Sequence, residues 1–487
     1  MITFCASIII LFLGYKIYGT FLDKKFGSDD RTTPAFIKND GIDFVPMKTW
    51  KVLLIQLLNI AGLGPIFGAI TGALWGPVVC LWIVFGTIFA GAVHDYLSGM
   101  LSERNFGASI ADVVGRYLGS TIKKLMHFFS LLLLIMVGVV FTVGPAELIA
   151  LLTPKFLTVR FWVIIIMCYY CLSAFLPIDK LVAKIYPAMG MSLLIMALLI
   201  GGITLTNDII GIAKMPEIWD YFGNMHYKKV PIFPMMFVSV ACGAISGFHA
   251  TQSPMMARCI KTEKDGKKVF YGAMCIESVI ALIWAYASST FFYNSQTNSW
   301  LAERIVNING REEMIKFIGD SSCVYGMSIY LLGTFGGIFA ILGVIVCPIT
   351  SGDASFRSVR FAITNLLKLD QRNIYKRFIC TFLILLTGYF ISMCEYHVIW
   401  RYFSWSNQTL ATIVLWSGAV FLSTNKGKYV GLIATLPATF MSSVSISYIL
   451  QSKEGFNINS FASNCIGITV AIILFIVFIK KIILNNK

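Results

Sequence analysis

Charge is what this sequence has little of. Only 13% of its 487 residues are Asp, Glu, Lys or Arg, while 57% are hydrophobic; a soluble domain carries about 25% charged residues. With a mean hydropathy of +0.77, a water-soluble globule would have to expose apolar surface it cannot cover, which excludes a soluble enzyme and a disordered chain. A paired cysteine framework is also missing. The 12 Cys scatter mostly through apolar runs, and the close pair Cys168 and Cys171 sits among Tyr and Ile. That excludes a disulfide-stapled secreted domain and favours reduced thiols packed between helices over a metal pair, which needs further ligands nearby. No phosphate-cradling G-x-x-x-x-G-K-[ST] loop points to an ATP-driven pump, and no H-E-x-x-H to a zinc enzyme. The Arg repeat of a voltage sensor and the TVGYG filter of a potassium channel are absent too. The expectation is a non-enzyme without a resident cofactor.

What the chain does have is long apolar runs. A spanning helix takes about 20 such residues. Runs broken by polar loops predict an all-α polytopic membrane protein of about thirteen helices, over 2–22, 52–75, 77–102, 122–150, 161–178, 186–206, 232–255, 269–293, 326–350, 378–396, 403–422, 428–450 and 461–479. The longest polar stretches, 23–51, 207–231 and 294–325, are too short for independent domains. The missing signalling domain counts against the alternative of a membrane sensor or receptor that binds a metabolite without moving it. The first run, Ile2 to Leu22, has no Lys or Arg before its apolar stretch and no A-x-A site after it, so it reads as a retained helix rather than a signal peptide.

The net charge of +15 finds its explanation in the loops. With the N-terminus outside, 28 of the 39 Lys and Arg fall in inside segments and 10 in outside loops, leaving Lys16 within the first helix. Positive residues concentrate on the cytoplasmic side, so this ratio predicts N-out, C-in. It also accounts for the charge by an anionic lipid surface, without nucleic acid.

Two runs are interrupted. The second contains Asn59-Ile-Ala-Gly-Leu-Gly-Pro65, the seventh Cys242-Gly-Ala-Ile-Ser-Gly-Phe-His-Ala-Thr-Gln-Ser-Pro254. Gly costs about 1 kcal/mol in a helix and Pro about 3, so both runs should unwind mid-membrane. Freed backbone groups are tolerated there only where they line a cavity or site. The candidate substrate-binding residues are therefore Asn59, Ala61, Gly62, Gly64 and Pro65 with Ser246, Gly247, Phe248, His249, Gln252 and Ser253. The broken runs stand five helices apart and so run in opposite directions. That predicts two inverted five-helix repeats, 52–206 and 232–422, with the helix at 2–22 and those within 428–487 as additions. A third interruption is expected at Cys347-Pro-Ile-Thr-Ser-Gly-Asp-Ala-Ser-Phe-Arg-Ser358. Thr350 and Ser351, with freed carbonyls of Ala61 and Gly62, form a possible Na⁺ site, since hard cations take oxygen ligands. Alternatively they cap a helix end, with Asp353 and Arg357 as a surface pair.

Ionisable residues inside the membrane cost at least about 2.5–3.5 kcal/mol each on insertion scales and mark functional sites. His249 lies in the seventh-run interruption and shares a helical face with Gln252 and Ser253; it reads either as a titrating substrate ligand or as a packing histidine. His94 and Asp95, in Gly91-Ala-Val-His-Asp-Tyr-Leu-Ser-Gly99, read either as a proton relay or as an interhelical clamp. Glu277 lacks an identifiable partner, Glu147 reads as interfacial, and Arg258 as a positive-inside anchor.

Asn59-Ile-Ala-Gly-Leu-Gly-Pro-Ile-Phe-Gly68, Phe89-Ala-Gly-Ala-Val-His-Asp-Tyr96, Gly243-Ala-Ile-Ser-Gly-Phe-His249 through Gln252-Ser-Pro-Met-Met-Ala-Arg-Cys259, and Thr350-Ser-Gly-Asp353 with Phe356-Arg-Ser358 closely resemble the carbon-starvation protein A (CstA) family. The resemblance implies a bacterial cytoplasmic-membrane secondary transporter linked to nutrient limitation, taking up peptides or, in some members, pyruvate with protons. It also implies the LeuT-like fold of the amino acid–polyamine–cation superfamily, in which two inverted five-helix repeats each begin with a broken, substrate-carrying helix. Sodium-binding members of that fold use adjacent Thr and Ser on the eighth core helix, the place of Thr350 and Ser351. On this footing Asp353 joins them and His94 and Asp95 as candidate coupling residues. Long members of the family extend well beyond 487 residues, so functions of that extra region do not carry over. The resemblance leaves peptide against pyruvate, H⁺ against Na⁺ and oligomeric state open.

Overall fold

The computed structural model describes residues 1–41, 44–173, 178–294, 296–308, 310–367 and 374–484. Its elements in chain order are α1 (Ile2–Phe26), α2 (Thr49–Ile60), α3 (Gly64–Trp75), α4 (Val78–Arg104), α5 (Ile110–Leu118), α6 (Ser120–Leu152), α7 (Val159–Ser173) and α8 (Ile178–Ile209). A short irregular helical stretch over 232–244 leads into α9 (Gly247–Ala257) and α10 (Glu263–Phe292). Two hairpins follow, β1 (Tyr293–Asn294) with β2 (Ser299–Trp300) and β3 (Glu303–Ile308) with β4 (Arg311–Lys316). The chain then forms α11 (Ser321–Leu366), α12 (Ile374–Ile391), α13 (Tyr396–Asn425), α14 (Leu432–Gln451) and α15 (Ser460–Phe478).

Helix occurs in every one of the thirteen stretches expected from the sequence. Among the described residues, eight helices are long and apolar enough to cross a membrane, or nine when the bent pair α2 and α3 counts as one span. The chain is a multi-pass membrane protein. Its apolar exterior is the lipid-facing side: Phe12, Ile17, Phe128, Leu198, Phe335 and Phe461 are all exposed.

The expectation of an all-α chain misses the hairpins. In β3 and β4, Ile305 faces Met314 and Glu303 faces Lys316 across an antiparallel pair. Val306, Ile308 and Ile315 are buried while Glu303, Ile305 and Asn307 are exposed, the period-two alternation of a sheet with one covered face. Phe317, just after β4, stacks on Phe292 with ring centroids 4.2 Å apart and fixes the hairpin over the end of α10.

A second correction concerns α11. The sequence predicts an unwound turn near Thr350–Ser358, but the helix runs unbroken there; its one non-helical residue is Gly333, at φ 68°. Polar side chains that suggest an interruption serve as interhelical bonds instead. Ser355 Oγ donates to Leu134 O on α6 at 2.6 Å, and Ser351 Oγ lies 2.7 Å from Leu58 O on α2. Small hydroxyl residues join membrane helices in this way.

The loop before the broken seventh run is seated by His226, whose ring packs edge-on to Trp75 at 4.8 Å. Trp75 Nε1 donates to Val230 O at 2.9 Å. Burial, then the nearby Lys228 ammonium, pushes the imidazole down to about 4. A histidine depressed when folded supports the fold while neutral. Its contribution is complete above the unfolded value of about 6.5 and fades as pH falls toward 4. Protection factors of the amides over 224–231, taken relative to the unfolded exchange rate at each pH, should therefore fall between pH 6.5 and 4, and His226→Phe should remove that dependence.

Candidate functional site

The two breaks lie against each other. α2 and α3 meet at a 60° bend. Ala61 leaves helical geometry at ψ 81°, and Pro65 occupies the first turn of α3, where its missing N–H costs nothing. In the seventh run, Ile245 and Ser246 are extended, at φ −158° and −142°, between residues 241–244 and α9. A Cβ on Gly64 would meet the Cys242 side chain, and one on Gly243 would come within 4.0 Å of the Pro65 Cα. Gly64 thus lets the first break approach Cys242 where a side chain would not fit, while the tight neighbour of Gly243 is Ala281 Cβ on α10, at 2.8 Å. Asn59, Ala61, Gly62, Gly64, Pro65, Ser246, Gly247, Phe248, His249, Gln252 and Ser253 are all buried. Gln56 Nε2 donates to Ser253 Oγ at 3.3 Å, and Gln252 Nε2 to Thr251 Oγ1 at 2.9 Å.

His94, Asp95, His249 and Glu277 form one chain of ionisable groups across α4, α9 and α10. His94 Nδ1 lies 2.8 Å from Asp95 Oδ1, His249 Nδ1 2.8 Å from Asp95 Oδ2, and His249 Nε2 3.3 Å from Glu277 Oε2. All four side chains are 0% exposed. Asp95 therefore links the two histidines, and Glu277 has its partner in His249, which sequence could not supply. An ionised carboxylate only accepts, so Asp95 places hydrogens on both Nδ1 atoms. His249 then turns Nε2 toward Glu277. A proton on either group, as imidazolium facing carboxylate or as carboxylic acid facing imidazole, would make that contact attractive. His249 Nε2 and Glu277 Oε2 thus stand at ion-pair distance inside the bundle, with no aligned hydrogen bond between them. Neither Glu277 oxygen has an aligned hydrogen-bond donor, so nothing else holds that charge in place.

Asn407 and Gln408 on α13 were missed at the sequence level. Asn407 Oδ1 accepts from Phe248 N at 2.7 Å and from Ser246 Oγ at 3.1 Å, while Gln408 Nε2 donates to Ile245 O at 3.3 Å. The unwound backbone of the seventh run is thus already met by side chains. The available signal was Ser406-Asn407-Gln408 inside an apolar run, since strongly polar side chains in a membrane helix seek a partner.

Thr350 and Ser351 do abut the first break, though on an intact helix. Thr350 Oγ1 donates to Cys347 O at 2.7 Å, Ser351 Oγ engages Leu58 O, and Cys347 Sγ donates to Ala61 O. Of the two carbonyls expected as cation ligands, that of Ala61 is thus bonded to a side chain, and the Ser351 hydroxyl is engaged by Leu58 O. Ser351→Ala should lower stability by about 1 kcal/mol through loss of the Leu58 bond, read as a fall in melting temperature. Asp353 is elsewhere. It makes a buried pair with Arg357 at 2.9 Å, and both bond to Ser173 of α7, so the expected surface pair is an interior one. Glu147 accepts from Ser321 Oγ at 2.9 Å, and Arg258 Nε donates to Gly107 O at 3.0 Å. Among the described residues, no group of three or more His, Cys, Asp and Glu could hold a metal ion.

The crossed, broken spans define a membrane protein with the fold of a solved transporter. The manganese transporter of Eremococcus coleocola, crystallised with a bis-isothiourea compound, superposes with a TM-score of 0.55 at 12% identity, covering 91% of this chain and 99% of that one. The family is given by sequence. The model of the carbon starvation protein CstA matches residues 1–151, 146–313 and 318–448, and the chain belongs to that family. A Haemophilus influenzae protein described as an uncharacterized membrane protein is 41% identical over 61% of this chain and 92% of its own length. The Helicobacter pylori peptide transporter CstA is 28% identical over 90% and 80%. The Escherichia coli pyruvate/proton symporter BtsT is 27% identical over 58% and 48%.

Proposed function

We propose that this chain is a secondary active transporter that carries a small carboxylate-bearing solute, a short peptide or pyruvate, into the cell together with a proton by alternating access. The observation that supports it most is the buried chain His94–Asp95–His249–Glu277. It supports a single-proton seat on the half-helix that begins at the second break. The fit of the chain to two inverted repeats, 52–206 and 232–422, rests on the two apposed breaks and the likeness to a solved transporter. The orientation, N-terminus outside and C-terminus in the cytoplasm of a bacterial inner membrane, rests on the Lys and Arg distribution. The relatives' names, a peptide transporter and a pyruvate/proton symporter, favour the same cargo classes. The carboxylate follows from the α9 N-terminus, whose aligned amides act as about half a positive charge.

Protons are favoured over Na⁺ because the ionisable chain lies at the break, while hydroxyl and thiol donors already engage the carbonyls near Ser351. One proton moving through 100 mV supplies about 2.3 kcal/mol, enough for roughly fifty-fold accumulation. The test is uptake of labelled pyruvate and labelled alanyl-alanine into proteoliposomes under an imposed proton or sodium gradient. A proton gradient should drive concentrative uptake in the wild type. Glu277→Gln keeps the shape and offers His249 a permanent N–H in place of the exchangeable proton. It should retain solute exchange while accumulation falls to the equilibrium level. Accumulation by Glu277→Gln equal to wild type would sink the proton seat.

A further inference from the structure

The half-helix α9 begins without a cap of its own. Ser246 stands at its N-cap and makes no capping bond. The cap comes from another helix: Asn407 Oδ1, on α13, takes the Phe248 N–H at 2.7 Å and the Ser246 hydroxyl at 3.1 Å. A neutral carboxamide oxygen thus occupies the spot at a helix start where an anionic oxygen is received best. Its neighbour Gln408 donates Nε2 to Ile245 O at 3.3 Å and Phe237 O at 3.4 Å. Two carbonyl neighbours settle which end of that amide is nitrogen. The other end, Oε1, is buried at the break without a partner, and Gln408 is 0% exposed.

The break therefore holds one donor group covered by a replaceable oxygen and, beside it, one acceptor awaiting a donor. Buried backbone groups in a membrane must stay bonded, so a solute can reach the Phe248 N–H only by taking the place of whatever covers it. On the α13 side of the break the packing is tight: a Cβ on Gly247 would strike Asn407 O and Ala411 N. The Asn407 side chain turns about two rotatable bonds, and the other end of its amide is held only by a weak bond, Nδ2 to Cys242 Sγ at 3.4 Å.

We propose that Asn407 is a placeholder for the substrate carboxylate. In the substrate-free form its Oδ1 occupies the carboxylate's seat on Phe248 N–H and Ser246 O–H. The arriving carboxylate displaces it, and an N–H next to that carboxylate bonds to Gln408 Oε1. The substrate class is then a carboxylate flanked by an N–H donor, as at the C-terminal residue of a short peptide, in preference to pyruvate, which has no N–H. This rests on the transport reading above and deepens it.

The test is equilibrium binding of radiolabelled alanyl-alanine to the purified full chain, with unlabelled pyruvate as competitor. Asn407→Ala removes the placeholder and the competition, so binding should tighten roughly tenfold. Asn407→Asp carries its own carboxylate into the seat, and binding should weaken roughly tenfold or more. Asn407→Ser, with a shorter and weaker acceptor, should fall between wild type and Asn407→Ala, and it serves if the alanine variant is too unstable to purify. Pyruvate should compete only at about tenfold higher concentration than unlabelled alanyl-alanine. Weaker binding by Asn407→Ala and Asn407→Ser, unchanged binding by Asn407→Asp, or pyruvate competing as well as the peptide would overturn the placeholder. If the wild type binds neither solute, the transport reading falls and takes the placeholder with it. If it binds and the variants fall in the wrong order, only the placeholder falls.

Discussion

Asp95→Asn should reduce gradient-driven uptake by at least about a hundredfold while leaving a folded protein. Each Asp95 oxygen serves one imidazole at 2.8 Å, and the group is fully buried. An asparagine of the same shape keeps one acceptor and turns an NH₂ toward the other ring. Removing one partner of a buried charged pair leaves its mate uncompensated, at about 3–5 kcal/mol. The histidines can escape most of that cost by staying neutral, and His249 turning over to present Nδ1 as an acceptor is one such escape. What neutrality removes is the fixed Nδ1–H donation that aims His249 Nε2 at Glu277. The loss should therefore appear mainly in transport and only modestly in melting temperature. Uptake and thermal unfolding measured on the same preparation separate the two. A variant that transports at half the wild-type rate or better would show that Asp95 is a packing clamp.

The second large effect is steric. Gly247 opens α9 directly against α13, where an added Cβ would meet the backbone Asn407 O and Ala411 N and lie 2.8 Å from Leu410 Cβ. Backbone atoms of a packed helix cannot turn aside as a side chain can. Overpacking of this kind costs about 1–3 kcal/mol or more, and here the displacement falls on the break itself. Gly247→Ala should lower the melting temperature and abolish uptake. The control is Gly202→Ala on the exposed side of α8, where nothing lies within 4 Å of an added Cβ. Helix propensity there favours alanine by roughly 0.5–1 kcal/mol, so that variant should be neutral or slightly stabilised. Equal damage from both changes would point to a general intolerance of helix alteration.

The breaks were legible from sequence because their cause is local. Gly243, Gly247, Gly62, Gly64 and Pro65 each disfavour helix whatever surrounds them, and several together in an apolar run leave few structural options. His94, Asp95 and His249 were legible as costly intramembrane groups for the same reason. Their arrangement was not: Glu277 meets His249 across 28 residues and a change of helix, and Asp95 reaches His249 across 154. Such pairings are properties of the packing. The role of Asn407 is not local either: it satisfies the unwound segment from a helix 159 residues further along the chain, and a freed backbone group implies such a partner without saying where it lies. Near Thr350 the error had the opposite sign. Thr, Ser and Gly after Pro348 suggest unwinding, yet Ser351 and Ser355 bond to carbonyls on α2 and α6 and hold an intact helix in place. The hairpin over 303–316 carried a readable signal in the Asn-Gly pair at 309–310, the short-loop signature of paired strands; the strand Glu303–Ile308 does not itself alternate in polarity, because the apolar Ile305 stands on the exposed face.

The most direct measurement is proton movement that accompanies solute entry. Wild-type proteoliposomes in weakly buffered, sodium-free medium, with no imposed gradient, are given alanyl-alanine or pyruvate while external pH is followed. Entry of one proton with each solute should make the medium alkaline in proportion to labelled solute taken up, and Glu277→Gln should abolish the pH change. Solute uptake that requires Na⁺, or that proceeds at full extent with no change in external pH, would contradict the proton seat between His249 and Glu277.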